Sequence, residues 1–210
     1  MQNIKGVLFD LDGVIVDTAK YHFLAWKRLA SRLGFEFTEQ DNERLKGVSR
    51  IASLEILLEI GNLHYTESEK IQMANEKNEW YVDYLHELDQ SALLPGAREY
   101  LLQLKKEGVL IALGSASKNA QLILDCLNIT NLFDAIIDGN SVEKAKPDPE
   151  VFLKGAQSLG LDPADCLVFE DSLAGIQAAK TGGMRAVAVG TKENLPGADL
   201  YITALKDMLS

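Results

Sequence analysis

Residues 6–18 read Gly6-Val7-Leu8-Phe9-Asp10-Leu11-Asp12-Gly13-Val14-Ile15-Val16-Asp17-Thr18. A short apolar run passes straight into two carboxylates spaced two apart. Continuous runs of this kind suit strands buried on both faces, the habit of parallel sheets. In an open α/β sheet, ligands gather beyond the carboxyl ends of the strands. Asp10 and Asp12 therefore stand where chemistry is expected. In an extended segment they point to the same side, and Gly13 permits the sharp turn that follows.

Similar runs recur along the chain, each closed by small or polar residues. They are Val109–Leu113 before Gly114-Ser115, Ala135–Ile137 before Asp138, Leu167–Phe169 before Glu170-Asp171, and Ala186–Val189 before Gly190-Thr191. A weaker run lies near Leu200–Ile202. Helical patterns separate them over Gly96–Glu107, Lys118–Leu127, Pro149–Leu159 and Ser172–Thr181. Alternating strands and helices predict an α/β fold, an open doubly wound parallel sheet with right-handed crossovers.

The stretch from about residue 19 to 90 breaks this alternation and carries no convincing strand. Phe23, Trp26, Leu29, Ala30 and Leu33 form one helical stripe. Ile51, Leu54 and Leu58 form a second. Glu67–Leu88 reads as one or two long polar helices with Ile71, Tyr81, Leu85 and Leu88 inward. An all-helical domain, residues 18–89, is thus expected as an insertion after the first strand. Residues 1–17 and 90–210 make the sheet domain, with short hinges near Val16–Thr18 and Gln90–Leu93.

Composition narrows the function. The chain has 210 residues, 47% hydrophobic and 25% charged, with a formal net charge of −10. These values suit a globular protein. A protein this acidic repels phosphate backbones and anionic lipid, so neither nucleic acid nor membrane is an expected partner. No apolar run approaches the ~20 residues needed to cross a bilayer. The N-terminal apolar stretch is broken by Asp10 and Asp12, unlike a signal peptide, so the cytoplasm is the expected compartment. Cys126 and Cys166 lack metal spacing and read as free core thiols.

The strand-end rule gathers Asp10, Asp12, Ser115, Glu170, Asp171 and Asp138 at one edge of the sheet. Carboxylates so grouped repel one another unless a cation neutralises them. Hard oxygen ligands without a His or Cys cluster point to Mg²⁺. Asp10 is the candidate nucleophile, because a carboxylate that attacks phosphorus splits one transfer into two.

Four motifs stand in order: residues 9–18, Gly114-Ser115-Ala116-Ser117-Lys118-Asn119, Lys146-Pro147-Asp148-Pro149, and Phe169-Glu170-Asp171-Ser172-Leu173-Ala174-Gly175. Together they resemble the haloacid dehalogenase (HAD) superfamily of phosphotransferases, and nearly the whole chain resembles its sugar-phosphate mutases. The discriminating residues lie in the insert: His22, Trp26, Lys46-Gly47-Val48-Ser49-Arg50, Ser53 and Lys77. The resemblance implies a HAD-type Rossmann-like core with a helical cap. It implies conversion of β-D-glucose 1-phosphate to D-glucose 6-phosphate, with β-D-glucose 1,6-bisphosphate as intermediate and priming donor. The only partner implied is a small sugar phosphate, and a monomer is expected. The alternative is a Mg-dependent sugar-phosphate phosphatase of the same superfamily.

The resemblance also assigns roles. Asp12 becomes the general acid/base, its backbone carbonyl meeting the metal. Asp10, Glu170 and Asp171 complete the metal set. Ser115, Ala116 and Lys146 hold the transferring phosphoryl group. Thr18, His22 and Lys77 join the catalytic set. Trp26, residues 46–50 (Lys46, Gly47, Val48, Ser49, Arg50), Ser53, Ser117, Lys118 and Asn119 contact substrate. On pattern alone, several of these read otherwise. Lys146 is a loop lysine, His22 a packed histidine, Trp26 a core residue, and Lys77 part of a solvated charged face.

Overall fold

The computed structural model describes residues 4–45 and 49–210. Lys46, Gly47 and Val48, expected to contact substrate, lie outside the described residues. Six strands form one parallel sheet: β1 (Gly6–Phe9), β2 (Leu110–Gly114), β3 (Ala135–Ile137), β4 (Cys166–Glu170), β5 (Arg185–Val189) and β6 (Leu200–Ile202). Their order is β3-β2-β1-β4-β5-β6. The chain thus builds outward on one side of β1, then returns to β1 and builds outward on the other. Such a reversal leaves a crevice at the carboxyl ends of β1 and β4.

The helices are α1 (Ala19–Leu33), α2 (Glu39–Asn42), α3 (Arg50–Ile60), α4 (Glu67–Leu85), α5 (Ala97–Lys106), α6 (Ala120–Cys126), α7 (Glu150–Leu159) and α8 (Leu173–Thr181). Alternation along the strands serves both sheet faces. Leu8, Ala112 and Val168 pack with Val151, Phe152 and Ala156 of α7 and Ile176 of α8. Phe9 and Phe169 instead stack at 5.1 Å, and Tyr100 of α5 meets both rings edge-on. Helices therefore cover both faces, which is why the strands read as continuous apolar runs.

Two compact units divide the chain: residues 1–17 with 88–210, and residues 18–87. Within the first, Val16 bridges Leu93, and the Leu94 N–H donates to Ile15 O at 2.9 Å. The chain thus leaves and re-enters the sheet unit side by side. The second unit is helical, with a core of Trp26, Leu29 and Ala30 from α1, Leu54, Leu57 and Leu58 from α3, and Met73 and Ala74 from α4. Thr66 and Glu69 form a capping box that starts α4.

Some sequence expectations need correction. Ile51 and Ile71, read as inward, are 44% and 56% exposed. At about 100° per residue each falls near a quarter turn from the centre of its helix's buried arc. In α3 that arc is Ser53, Leu54, Leu57 and Leu58; in α4 it is Met73, Ala74, Lys77, Tyr81 and Leu85. Leu88 is buried but lies beyond the end of α4. Cys166 is a core thiol, whereas Cys126 is only half-buried. No helix among the described residues is long and apolar enough to cross a membrane.

Candidate active site

Strand register assembles the centre. Phe9 of β1 lies level with Leu113 of β2 and Phe169 of β4. The next residues along, Asp10, Gly114-Ser115 and Glu170-Asp171, therefore emerge together. The Asp10 N–H donates to Phe169 O at 3.0 Å, which fixes the backbone where Asp10 leaves β1. Asp10, Ser115 and Glu170 are all buried.

Lys146 stands between the acids, in the loop after β3 and before a cis bond to Pro147. Its Nζ donates to Asp10 Oδ1 at 2.5 Å and to Glu170 Oε1 at 2.6 Å. It is thus a nearly buried cation held by two carboxylates, not a loop lysine in solvent. Burial alone would lower its pKa, but Asp10 and Glu170 more than offset this and raise it. Burial pushes the Asp10 carboxyl well up; Lys146 opposes the shift, while Glu170 and Asp171 add to it. Asp171 is exposed as a residue, yet partial desolvation of its carboxyl, with repulsion from Glu170 and Asp12 behind it, pushes it up to about 7.

Carboxylate oxygens of Asp10, Glu170 and Asp171 lie within 4.8 Å of one another. Three hard oxygen donors, too crowded to carry full charge unaided, fit Mg²⁺. Two glycines allow the crowding. A Cβ on Gly13, at φ +78°, would fall 1.9 Å from Asp171 Oδ2, and one on Gly175 would fall 1.8 Å from Glu170 Oε1. Ser172 orients Glu170 from its far side: its N–H and hydroxyl both donate to Oε2 at 2.8 Å, and its Oγ caps α8 at Gly175. Asp12 follows in the turn, half-buried, where the Gly13 N–H donates to Val16 O at 2.8 Å. Its carboxylate is not one of the three clustered acids.

Beyond β2, two hydroxyls shape the loop from Ser115 to Asn119. Ser115 Oγ accepts the Ser117 N–H at 3.1 Å, and Ser117 Oγ accepts the Asn119 N–H at 3.2 Å. Ala116 and Lys118 are exposed, Ser117 and Asn119 half-buried, and Asn119 stands at the N-cap of α6.

Within the helical unit, α1 and α4 bring His22, Trp26 and Lys77 together. Lys77, read from its charged neighbours as solvated, is 2% exposed. Its Nζ lies 2.9 Å from His22 Nδ1 and 4.6 and 4.8 Å from the Trp26 and Tyr81 ring centres. His22 stacks on Tyr81 at 4.0 Å. Burial lowers the Lys77 pKa to about 7, and Arg50 adds to the shift. Burial, then Lys77 and Arg50, holds the His22 pKa well below its usual value, so the imidazole is neutral. Arg50 is half-buried in the first turn of α3. Ser49 Oγ accepts the Ala52 N–H as N-cap at 3.3 Å; Ser53 and Thr18 are buried. Sequence reasoning placed Tyr81 in the core and missed it as a wall of the lysine cage. Its spacing of four from Lys77 on α4 was the available signal.

The haloacid dehalogenase-like hydrolase family model matches residues 4–183. The chain belongs to this family. A β-phosphoglucomutase of Bacillus subtilis is 46% identical, covering 98% of this chain and 92% of that protein. A crystal structure of β-phosphoglucomutase from Clostridium difficile is similar at a TM-score of 0.89 and 42% identity, covering 98% of this chain and 93% of that one. The family also includes phosphatases: a fructose-1-phosphate phosphatase of Escherichia coli is 33% identical over 90% of this chain and 97% of its own length. The six-stranded parallel sheet with its helices is the HAD-type core of that family.

Proposed function

We propose that the chain interconverts β-D-glucose 1-phosphate and D-glucose 6-phosphate, as a β-phosphoglucomutase does. One observation carries this reading. A buried Asp10 paired with Lys146 lies beside two further acids, in a chain that matches a β-phosphoglucomutase over 98% of its length. In this reading the enzyme is a cytoplasmic monomer, primed by β-D-glucose 1,6-bisphosphate.

The chemistry follows from the side chains. In the primed enzyme, Asp10 carries a phosphoryl group. Asp12 takes the proton of the sugar 6-hydroxyl, whose oxygen attacks phosphorus and releases the Asp10 carboxylate. The bisphosphate then turns end for end. The Asp10 carboxylate attacks the phosphorus on C1, the bond to the sugar oxygen breaks, and Asp12 returns its proton to that oxygen. Lys146 and the amides near Ser115 hold the equatorial oxygens as charge shifts. Mg²⁺ bound by the Asp10, Glu170 and Asp171 carboxylates and the Asp12 carbonyl would screen the nucleophile from the incoming phosphate.

A mutase must keep water from the phosphoaspartate. The helical unit, residues 18–87, serves as the cap that does so, with Arg50 as a fork for the second phosphate. His22 and Lys77 transmit cap position to Asp12. Ser49, Ser53, Trp26, Ser117, Lys118 and Asn119 contact the sugar phosphate, and Thr18 lies at the hinge. Phosphorus NMR of β-glucose 1-phosphate with enzyme, Mg²⁺ and trace bisphosphate tests the reading. Glucose 6-phosphate should accumulate. Inorganic phosphate as the main product would make the enzyme a phosphatase, and turnover by Asp10→Asn would refute the covalent route.

A further inference from the structure

The loop from Ser115 to Asn119 does not hold its shape alone. It rests on the turn after β3, Asp138-Gly139-Asn140-Ser141. The Ser115 N–H donates to Ile137 O at 2.9 Å and the Gly139 N–H to Ser117 O at 3.1 Å. Asn140 Nδ2 donates to Lys118 O at 3.0 Å. The Ala116 carbonyl is so close that a Cβ on Gly139 would fall 2.3 Å from its oxygen. Three successive carbonyls, of Ala116, Ser117 and Lys118, are therefore turned toward one short turn. In a trans peptide the N–H opposes the carbonyl. The Lys118 N–H accordingly faces away from the turn, while the Ser117 and Asn119 N–H groups donate to Ser115 Oγ and Ser117 Oγ, so the loop is shaped from both sides.

Asn140 is the joint between the two segments. A side-chain amide has two N–H donors. Here Nδ2 donates to Lys118 O and to Asp138 Oδ2, the latter at 2.8 Å. Both acceptors require the nitrogen, so the amide has one orientation. Asp138 also accepts the Asn140 backbone N–H at 3.0 Å and the Ser141 hydroxyl at 2.8 Å, which stiffens the turn. We infer that Asn140 is a positioning residue for substrate: it holds the Lys118 carbonyl so that residues 117–119 grip the sugar-phosphate end remote from Asp10. This rests on the phosphosugar reading above.

The test separates the remote grip from the chemistry. Asn140→Ala should raise KM for β-glucose 1-phosphate at least tenfold, with kcat within threefold of wild type. Asn140→Asp has the same size but no side-chain donor, and should behave like Asn140→Ala. Hydrolysis of p-nitrophenyl phosphate, which has no remote phosphosugar group, should keep its kcat/KM within twofold in both variants. An unchanged sugar-phosphate KM in either folded variant overturns the inference, and so does an equal loss on both substrates. If Asn140→Ala does not fold, the Asp variant decides. Release of inorganic phosphate by the wild type would sink the mutase reading only, because the KM contrast can then be read on sugar-phosphate hydrolysis.

Discussion

Lys77 and Asp171 both reach a pKa near 7, from opposite sides: Lys77 is driven by burial, whereas Asp171, exposed as a residue, is raised by partial desolvation of its carboxyl and by the neighbouring Glu170 and Asp12. Lys77 falls from 10.5 to about 7. Between those values the unfolded chain binds more protons than the folded one, so stability rises with pH across this window. Urea unfolding at pH 7, 8 and 9 should show wild type gaining on Lys77→Met by up to about 1.4 kcal/mol per unit. A constant difference would mean that the lysine titrates normally. Asp171 instead rises from 3.8 to about 7, so the metal-free protein loses stability as pH climbs through that interval. Its proton must also leave before a metal binds. The apparent Mg²⁺ dissociation constant, measured by calorimetry, should rise as pH falls below 7, approaching about tenfold per unit. An affinity independent of pH between 5.5 and 7 would refute this. Neither shift was legible in the sequence. Lys77 lies in the charged run Glu76-Lys77-Asn78-Glu79, and only the packing of α1 against α4 turns it inward. Asp171 could be read as an acid at a strand end, but its crowding by Glu170 comes from side-chain directions that spacing does not encode.

Strands were the more legible elements, because burial on both faces leaves an uninterrupted apolar signature; even the three-residue β6 gave a weak one. Helix faces in the insert were harder, since Ile51 and Ile71 sit on the margin of their buried arcs, where one residue decides the side. The loop after β3 was harder still. Asp138 was read only as another strand-end acid, while Gly139 holds the neighbouring loop through a backbone N–H and Asn140 through a side-chain amide whose distant partner spacing does not encode. The start of α8 offers a direct test of how an element tunes the centre. Gly175→Ala would drive a methyl group into the Glu170 carboxylate, 1.8 Å away, and break the orientation that Ser172 imposes. Weaker Mg²⁺ binding, by tenfold or more, should accompany a small change in melting temperature. Unaltered Mg²⁺ affinity would show that the Glu170 carboxylate is not held for the metal. Thr66→Ala supplies the contrast: loss of the capping box at α4 should cost about 1 kcal/mol and leave Mg²⁺ affinity unchanged.

Because Val16 bridges Leu93, the two ends of the helical insert meet the sheet unit side by side. Replacing residues 18–87 with a short Gly/Ser linker should leave a folded sheet unit by circular dichroism. That unit should hydrolyse p-nitrophenyl phosphate with Mg²⁺ and yield no glucose 6-phosphate. Formation of glucose 6-phosphate at the wild-type rate would deny the insert its role as cap. The strand order carries a further consequence, for the timing of synthesis. β1 leaves the ribosome first, yet Gly6 pairs with Cys166 of β4. At roughly 5–20 residues per second, the centre of the sheet waits on the order of ten seconds with one apolar edge unpaired. Nascent chains arrested before β4 should expose that edge to chaperones, and those arrested just beyond it should not.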